Sequence, residues 1–307
     1  MVALSQECKR LLEILQLENV EAIDVADLEA RYPSLALCKK NRSLVEYYFT
    51  CTPSVISFVF DDNPLVNQVT YIDADMFFYN DPAIIFSEIG DASVAITPHR
   101  FAAEFLHNEK YGIYNVGLLS FRRDAVGLEC LKEWQRNCIE WCYDRLEDGK
   151  FADQKYLDSW PVLYPNVVSI QHEGVNAGIW NIGEAQWSIV DNSVCINRKP
   201  LVLFHFHGIK EVVSDVYDVS WKRYKISPSR VLVDVVYSPY FFAWARAARL
   251  VQPLLQMKVE SNLRAEGNDK GKSRFRRLRH WMRAYWQVFL GRYFWIKDGC
   301  IIKAPRW

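Results

Sequence analysis

What the chain lacks narrows its function first. It has no net charge, with 37 lysines and arginines against 37 aspartates and glutamates among 307 residues. Bulk electrostatics therefore select no polyanionic partner, and any such preference must come from local clusters. No run of eighteen apolar residues occurs, which excludes a membrane-spanning helix but not a seat against a membrane surface. The eight cysteines include no Cys-x-x-Cys pair, and no charged-then-apolar leader follows Met1; both fit reduced thiols in a cytoplasm. Cys138 and Cys142 stand four apart on an expected helix. Core thiols and half of a metal site are both open readings there, and a second ligand pair is missing.

Half of the residues are hydrophobic, enough for one large core or for a core domain with an appendage. The most informative stretch is Tyr71-Ile72-Asp73-Ala74-Asp75-Met76-Phe77-Phe78. An apolar strand there ends in two carboxylates that share one face by the two-residue period, and the small Ala74 lets their oxygens converge. Both apolar flanks are expected to be buried. Unpaired buried carboxylates are costly or protonated, whereas a divalent cation removes that penalty and keeps positions open for phosphate oxygens. The plainer alternative makes Asp73 and Asp75 loop residues, one of them capping a helix that begins near Asp81-Pro82.

Taken in order, residues 2–4 read as a strand, followed by a helix with Cys8, Leu11, Leu12, Ile14 and Leu15 at helical spacing. A second strand over 20–23 completes a unit of parallel sheet. The next helix is capped by Asp24 and ends near Pro33. Residues 42–60 are helical with an interruption at Thr52-Pro53, and 93–97 form a strand. Residues 111–121 form another, broken by Asn115 and by Gly117, where a glycine marks either close approach of a ligand or a bulge. The strongest helix spans 124–146, with Leu128, Leu131, Trp134, Cys138 and Trp141 as its core face. A helix opening at Phe151 carries Asp153 and Gln154 in its first turn, where an acid also suits the helix dipole. Strands over 167–170 and 201–204 follow, the latter running into His205-Phe206-His207-Gly208, with two imidazoles on one face.

Residues 241–257 read as a helix broken at Pro253, and 265–271 as a polar linker. Beyond it Lys270, Lys272, Arg274, Arg276, Arg277, Arg279 and Arg283 follow one another without an acid, among Phe275, Leu278, Trp281, Met282, Tyr285 and Trp286. Such a segment suits an anionic membrane surface or packs its apolar side on the main domain. Nucleic acid is not expected, since no recognition module accompanies the cluster.

The polar interruptions, Asp73 with Asp75, Asn115, Asp153 with Gln154, and His205, each sit within or at the end of an apolar element, and open sheets bind ligands at strand ends. Two carboxylates and an imidazole suit Mn²⁺ at least as well as Mg²⁺. As a set spread over residues 41–210, YIDADMFFYNDP, ITPHRF, YNVGLLSFRRD, DGKFADQKYLDSWP and FHFHG resemble the retaining glycosyltransferases of the GT-A fold. The likeness is to glycosyltransferase family 8, which includes glycogenin, and more narrowly to bacterial enzymes of polysaccharide and lipopolysaccharide biosynthesis. The resemblance implies an α/β fold with a Rossmann-like mixed sheet. It makes Asp73 and Asp75 the metal-binding Asp-X-Asp, with His205 completing the metal shell. It places Asn115 and Gly117 along the donor-sugar pocket, Asp153 and Gln154 beside the sugar, and Arg42 and Lys210 near the diphosphate. Lys210 follows Gly208 by two residues where the family has three.

The resemblance also implies that an N-terminal strand-helix unit is missing, because Met1 falls at what reads as the second strand. The expected organisation is a catalytic domain over 1–212, a helical extension over 213–264, a linker over 265–273 and a basic amphipathic segment over 274–307. The expected activity is metal-dependent transfer of a sugar from a nucleotide diphosphate sugar, UDP-linked, to a glycan or lipid-linked acceptor. The setting would be cytoplasmic, with peripheral contact at the inner face of a membrane. A degenerate glycan-binding or partner module is the alternative. A nucleotidyltransferase fits less well, since Leu4-Ser5-Gln6-Glu7 supplies no glycine-rich phosphate loop after the first strand.

Overall fold

The computed structural model describes residues 1–227, 229–263, 282, 284, 288 and 293–304. The expected linker over 265–273 and nearly all of the basic stretch over 270–286 lie outside the described residues. The chain divides into two compact units, Met1–Asn176 with Val202–Phe204, and Ala177–Leu201 with His205–Trp307.

The first unit is built on a four-stranded mixed sheet in the order Gln68–Ile72, Tyr114–Arg122, Val94–Pro98, Val167–Ser169. The first two junctions are antiparallel and the last is parallel. Side chains alternate between its faces. Val94, Ile96, Leu119 and Phe121 enter one apolar cluster with Ile56, Phe60, Leu131 and Trp134, while Ala95 and Leu118 enter another with Ile85, Ile89 and Ile170. A sheet covered on both faces requires near-continuous apolar strands, and each large side chain so buried contributes about 1.5–3 kcal/mol.

Two helices carry the first cluster. Helix Leu44–Asp62 starts with a reciprocal capping box between Ser43 and Glu46. The interruption expected at Thr52-Pro53 does not occur: Pro53 sits inside the helix. The loss of one backbone bond, about 3 kcal/mol in an isolated helix, is offset by burial of Tyr47, Cys51, Ile56, Phe58 and Phe60 on one segment. Helix Ala125–Glu140 begins where expected, with the Asp124 carboxylate accepting from Gly127 N at 2.8 Å. It stops six residues early because Trp141 turns extended, at φ −147° and ψ 118°. Leu128, expected in the core, is exposed; the buried face is Cys130, Leu131, Trp134 and Cys138.

The N-terminal strand-helix-strand unit forms, with Val2–Ala3 and Ile23–Asp24 paired in parallel around helix Gln6–Leu15; the second strand begins three residues later than the expected 20–23. It makes a two-stranded sheet of its own. Asp24 caps the helix Val25–Arg31, and Pro33 opens the next. A further three-stranded sheet has the order Met76–Phe78, Leu203–His205, Val175–Gly178.

The second unit holds a three-stranded antiparallel sheet (Trp187–Val190, Ser193–Ile196, Lys199–Pro200). A four-stranded antiparallel sheet follows the order Lys210–Val213, Val216–Asp218, Phe294–Lys297, Cys300–Lys303. The segment after residue 212 therefore begins with sheet, and the tail ends in a hairpin. Trp221, Tyr237, Phe241 and Phe294 pack together, with Trp221 Nε1 donating to Tyr237 Oη at 2.8 Å. Helix Ser238–Leu263 runs through Pro253 without the expected break. No helix among the described residues is long and apolar enough to cross a membrane.

Candidate functional site

The acidic stretch leaves the edge strand of the mixed sheet. Pairing continues one residue past Ile72, since Asp73 N donates to Gly117 O at 2.9 Å. Tyr71 and Asp73 share a face, and Tyr71 Oη donates to Asp73 Oδ1 at 2.7 Å. Burial and the adjacent Asp73 carboxylate push the Tyr71 hydroxyl well above its usual range. The flanks are less buried than expected: residues 68–71 are half-buried, and Ile72 and Phe78 are exposed. An edge strand has a neighbour on one side only, which accounts for the difference. Asp75 lies in the turn before Met76–Phe78. The cap of the following helix is supplied by Asp81, which accepts from Ala83 N at 2.8 Å, so neither Asp73 nor Asp75 serves it.

Asn115 and Gly117 sit in a bulge. Ile96 pairs with Leu119 and the next residue, Thr97, with Asn115, so Val116–Leu118 are extra residues on one strand. The Asn115 side chain closes this bulge by accepting from Gly117 N at 2.9 Å. Bulges re-aim side chains next to sites, and here the aim concerns the Asn115 amide. Asn176 Nδ2 donates to Asn115 Oδ1 at 3.0 Å, and Asn115 Nδ2 faces His99 Nε2 at 3.2 Å.

Asp153 is buried. The helix expected from Phe151 is instead a turn leading into a 3-10 segment, Lys155–Ser159. The reason lies at Ala152, whose φ of 46° is left-handed and costs a non-glycine residue about 1 kcal/mol. Its N–H donates to Tyr143 O at 3.0 Å. The kink is held by Trp134 Nε1, which donates to Asp153 O at 2.9 Å, and Trp134 itself packs edge-on to Trp160. Burial, then the nearby Asp73 carboxylate, push the Asp153 carboxyl up to about 8, against a hydrogen bond from Thr52. A carboxyl so placed is neutral at pH 7. Gln154 Nε2 donates to Tyr111 O at 3.0 Å, and a Cβ on Gly112 would stand 3.2 Å from its Cγ, so the side chain lies along that glycine.

In the second unit His205 is buried and His207 exposed. Both rings pack edge-on to Trp180, with centroids 5.1 and 5.8 Å away. Gly178 keeps that indole in place, since a Cβ there would stand 2.7 Å from its ring. Gly208 adopts φ 77°, the left-handed turn that glycine takes without strain. Lys210 is exposed at the start of its strand. Arg42, in the first unit, is committed to the end of helix Ala125–Glu140. It donates to Ile139 O and Glu140 O at 3.3 and 3.4 Å and stacks 3.8 Å over the Tyr143 ring.

Four residues bearing on these elements were not expected at the site: Tyr71 and His99, which lie inside the stretches YIDADMFFYNDP and ITPHRF, and Thr52 and Asn176, which carry no motif. His207 had a signal, the two-residue spacing from His205. The carboxylate of Asp75 and the imidazoles of His205 and His207 are donors of the kind a borderline divalent ion takes.

No family model matches the chain. YfnF, an uncharacterized protein of Bacillus subtilis (strain 168), is 35% identical over 219 residues, which cover 69% of this chain and 72% of that protein. The chain belongs to the family of YfnF. YfnD of the same organism, also uncharacterized, is 28% identical over 242 residues, 78% of this chain and 76% of that one. Among solved structures, a glycosyltransferase involved in glycosylating the major capsid of PBCV-1 matches with a TM-score of 0.39 and 13% identity. That match covers 55% of the YfnF-family chain and 74% of the other. Mouse xyloside xylosyltransferase 1 matches with a TM-score of 0.38 and 14% identity over 58% and 72%. Likeness at this level carries no inference about activity.

Proposed function

We propose that the chain is a metal-dependent glycosyltransferase that moves a sugar from a nucleotide diphosphate sugar, UDP-linked, to a glycan or lipid-linked acceptor with retention at the anomeric carbon. The observation that carries the reading is the acidic turn of the first unit, where Asp73, accepting from Tyr71 Oη at 2.7 Å, leads into Asp75 at the end of the edge strand. Within the second unit His205 and His207, two residues apart, offer imidazoles of the kind a borderline divalent ion takes. One carboxylate and two imidazoles fit Mn²⁺ better than a magnesium shell made mostly of oxygen. Asp73 has one oxygen engaged by Tyr71. Its part in the reading is to hold the turn that presents Asp75.

A bound divalent ion supplies charge neutralisation for a departing diphosphate. The chain's own residues do the rest. Asp153, neutral at pH 7, offers a carboxyl O–H to a sugar hydroxyl in place of a charged nucleophile. Gln154, tied to Tyr111 O, presents its carbonyl oxygen to the same substrate. Asn115 holds the bulge at Gly117 and contributes an amide to the donor pocket.

The test is calorimetric titration of metal-free protein with Mn²⁺, followed by a panel of nucleotide sugars scored for manganese-dependent release of nucleotide. Asp75→Ala and His205→Ala are expected to weaken Mn²⁺ binding at least about tenfold, the scale of losing one ligand interaction, and to abolish release. Wild-type protein that binds glycan but neither Mn²⁺ nor UDP would mark a non-catalytic module instead.

A further inference from the structure

His99, Asn115 and Asn176 form a polar chain in the first unit, with His99 6% and Asn176 0% exposed. The orientation of the Asn115 amide is set by a group that cannot reverse its role. Gly117 N–H only donates, and it lies 2.9 Å from Asn115 Oδ1. Asn176 Nδ2 donates to the same oxygen at 3.0 Å, so both lone pairs of Oδ1 are engaged. The amide nitrogen then faces His99 Nε2 at 3.2 Å. An amide nitrogen donates and does not accept, so Nε2 must carry a lone pair. A neutral imidazole with a bare Nε2 has its proton on Nδ1, which stands 3.3 Å from Ile113 O, an acceptor only. The ring plane is held by Phe101, stacked at 4.5 Å between centroids and 10° between planes. One tautomer and one amide orientation satisfy these four hydrogen bonds together. The opposite tautomer or an imidazolium would set Nε2–H against Nδ2–H.

An amide nitrogen has two protons, and His99 takes one. The second has no acceptor among the described residues. We propose that His99 is a positioning residue that orients Asn115 so that its amide meets a ligand as a hydrogen-bond donor and never as an acceptor. The ligand chemistry this selects is an oxygen lone pair, a hydroxyl or phosphoryl oxygen of the donor nucleotide sugar; that assignment rests on the reading of Asn115 given under the proposed function. The Gly117 N–H fixes this polarity from the oxygen side of the amide, and the His99 acceptor holds it from the nitrogen side.

The first arm of the test needs no activity. Long-range ¹H–¹⁵N correlation spectra of ¹⁵N-labelled full-length protein at pH 7.5 report the protonation of each ring nitrogen, and the His99 signals are identified by their loss in His99→Gln. A protonated Nδ1 with a bare Nε2 is expected. An Nε2–H tautomer or an imidazolium overturns the proposal. The second arm is steady-state kinetics with the active nucleotide sugar. His99→Phe keeps a ring to stack on Phe101 but removes the acceptor, and is expected to raise the donor KM about tenfold, the scale of one hydrogen bond, with kcat within about twofold. In His99→Gln the side-chain oxygen can accept from Asn115, and KM should return to within about threefold of wild type. An unchanged KM in folded His99→Phe, or a fall in kcat alone, overturns the proposal. Wild-type protein without transferase activity counts against the proposed function, and the ring-nitrogen spectra then decide the Asn115 orientation by themselves.

Discussion

Replacing Asp153 by Asn should favour the folded protein more at pH 8 than at pH 5. The Asp153 carboxyl is held at about 8, first by burial and then by the Asp73 carboxylate, whereas an aspartate in the unfolded chain titrates near 3.8. The folded state therefore binds a proton that the unfolded state has lost between those limits. Stability from this group is complete below about pH 4 and declines as pH rises toward 8. At 1.36 kcal/mol per pH unit, with curvature near both limits, the decline from pH 5 to pH 8 is about 4 kcal/mol. Asparagine has the same shape and does not ionise in this window, so the variant lacks that decline. Urea unfolding at pH 5, 6, 7 and 8 in the presence of EDTA measures it. Taking the difference between wild type and variant cancels the histidines and every other group that titrates in the same range, and EDTA keeps a cation from neutralising Asp73. The expected difference widens by about 4 kcal/mol across the series, with the variant gaining. Asp73→Asn removes the second cause and should make the decline level off at a lower pH without abolishing it, because burial remains. Parallel pH profiles for wild type and Asp153→Asn would refute the reasoning.

Two further outcomes follow from the structure and the composition. In Gly127→Ala the new Cβ would stand 2.2 Å from Arg122 O and 2.9 Å from Ser93 O; neither is a movable side-chain end, so a loss of at least about 3 kcal/mol is expected in urea unfolding, and an unchanged midpoint would contradict it. If the basic stretch over 270–283 seats the chain on anionic lipid, as its seven cations without an acid suggest, co-sedimentation with phosphatidylserine vesicles should fall steeply between 50 and 300 mM salt, on the order of tenfold or more; binding insensitive to salt would remove that role.

The fold was legible where local and long-range preferences agree. Residues 94–98 form a strand because the apolar run Val94-Ala95-Ile96 suits a sheet covered on both faces, and Asp124 marks the start of its helix because a carboxylate there meets free N–H groups. Where the two disagree, packing prevails. Pro53 breaks helices by its own chemistry, yet the residues around it bury enough apolar surface to hold one through it. Leu128 and Trp141 read as core by spacing alone, but spacing does not say which side of a helix meets water or where the chain turns away. The C-terminal hairpin was in the sequence and hidden by composition. Asp298-Gly299, with φ of 52° and 82°, is a two-residue turn of the type that twisted antiparallel strands favour, and it lies between Lys297 and Cys300, which pair across it. By composition alone, the density of charge and aromatics nearby reads as an amphipathic segment.

The site divides along similar lines, into donor types and their orientations. The two-residue period brought out Asp73 with Asp75 and His205 with His207, because it concerns only which face a side chain shares. It does not say that Tyr71, two residues before Asp73 on that same face, takes up one carboxylate oxygen, although the same period contains that answer as well. For Asn115 half of the orientation was local: an asparagine that bonds the N–H two residues ahead is a common turn device, and the spacing to Gly117 encodes it. The other half comes from His99, sixteen positions earlier, and from Asn176, sixty-one positions later. A motif therefore names which atoms are present, and the polarity with which an amide presents them depends on acceptors delivered by the sheet.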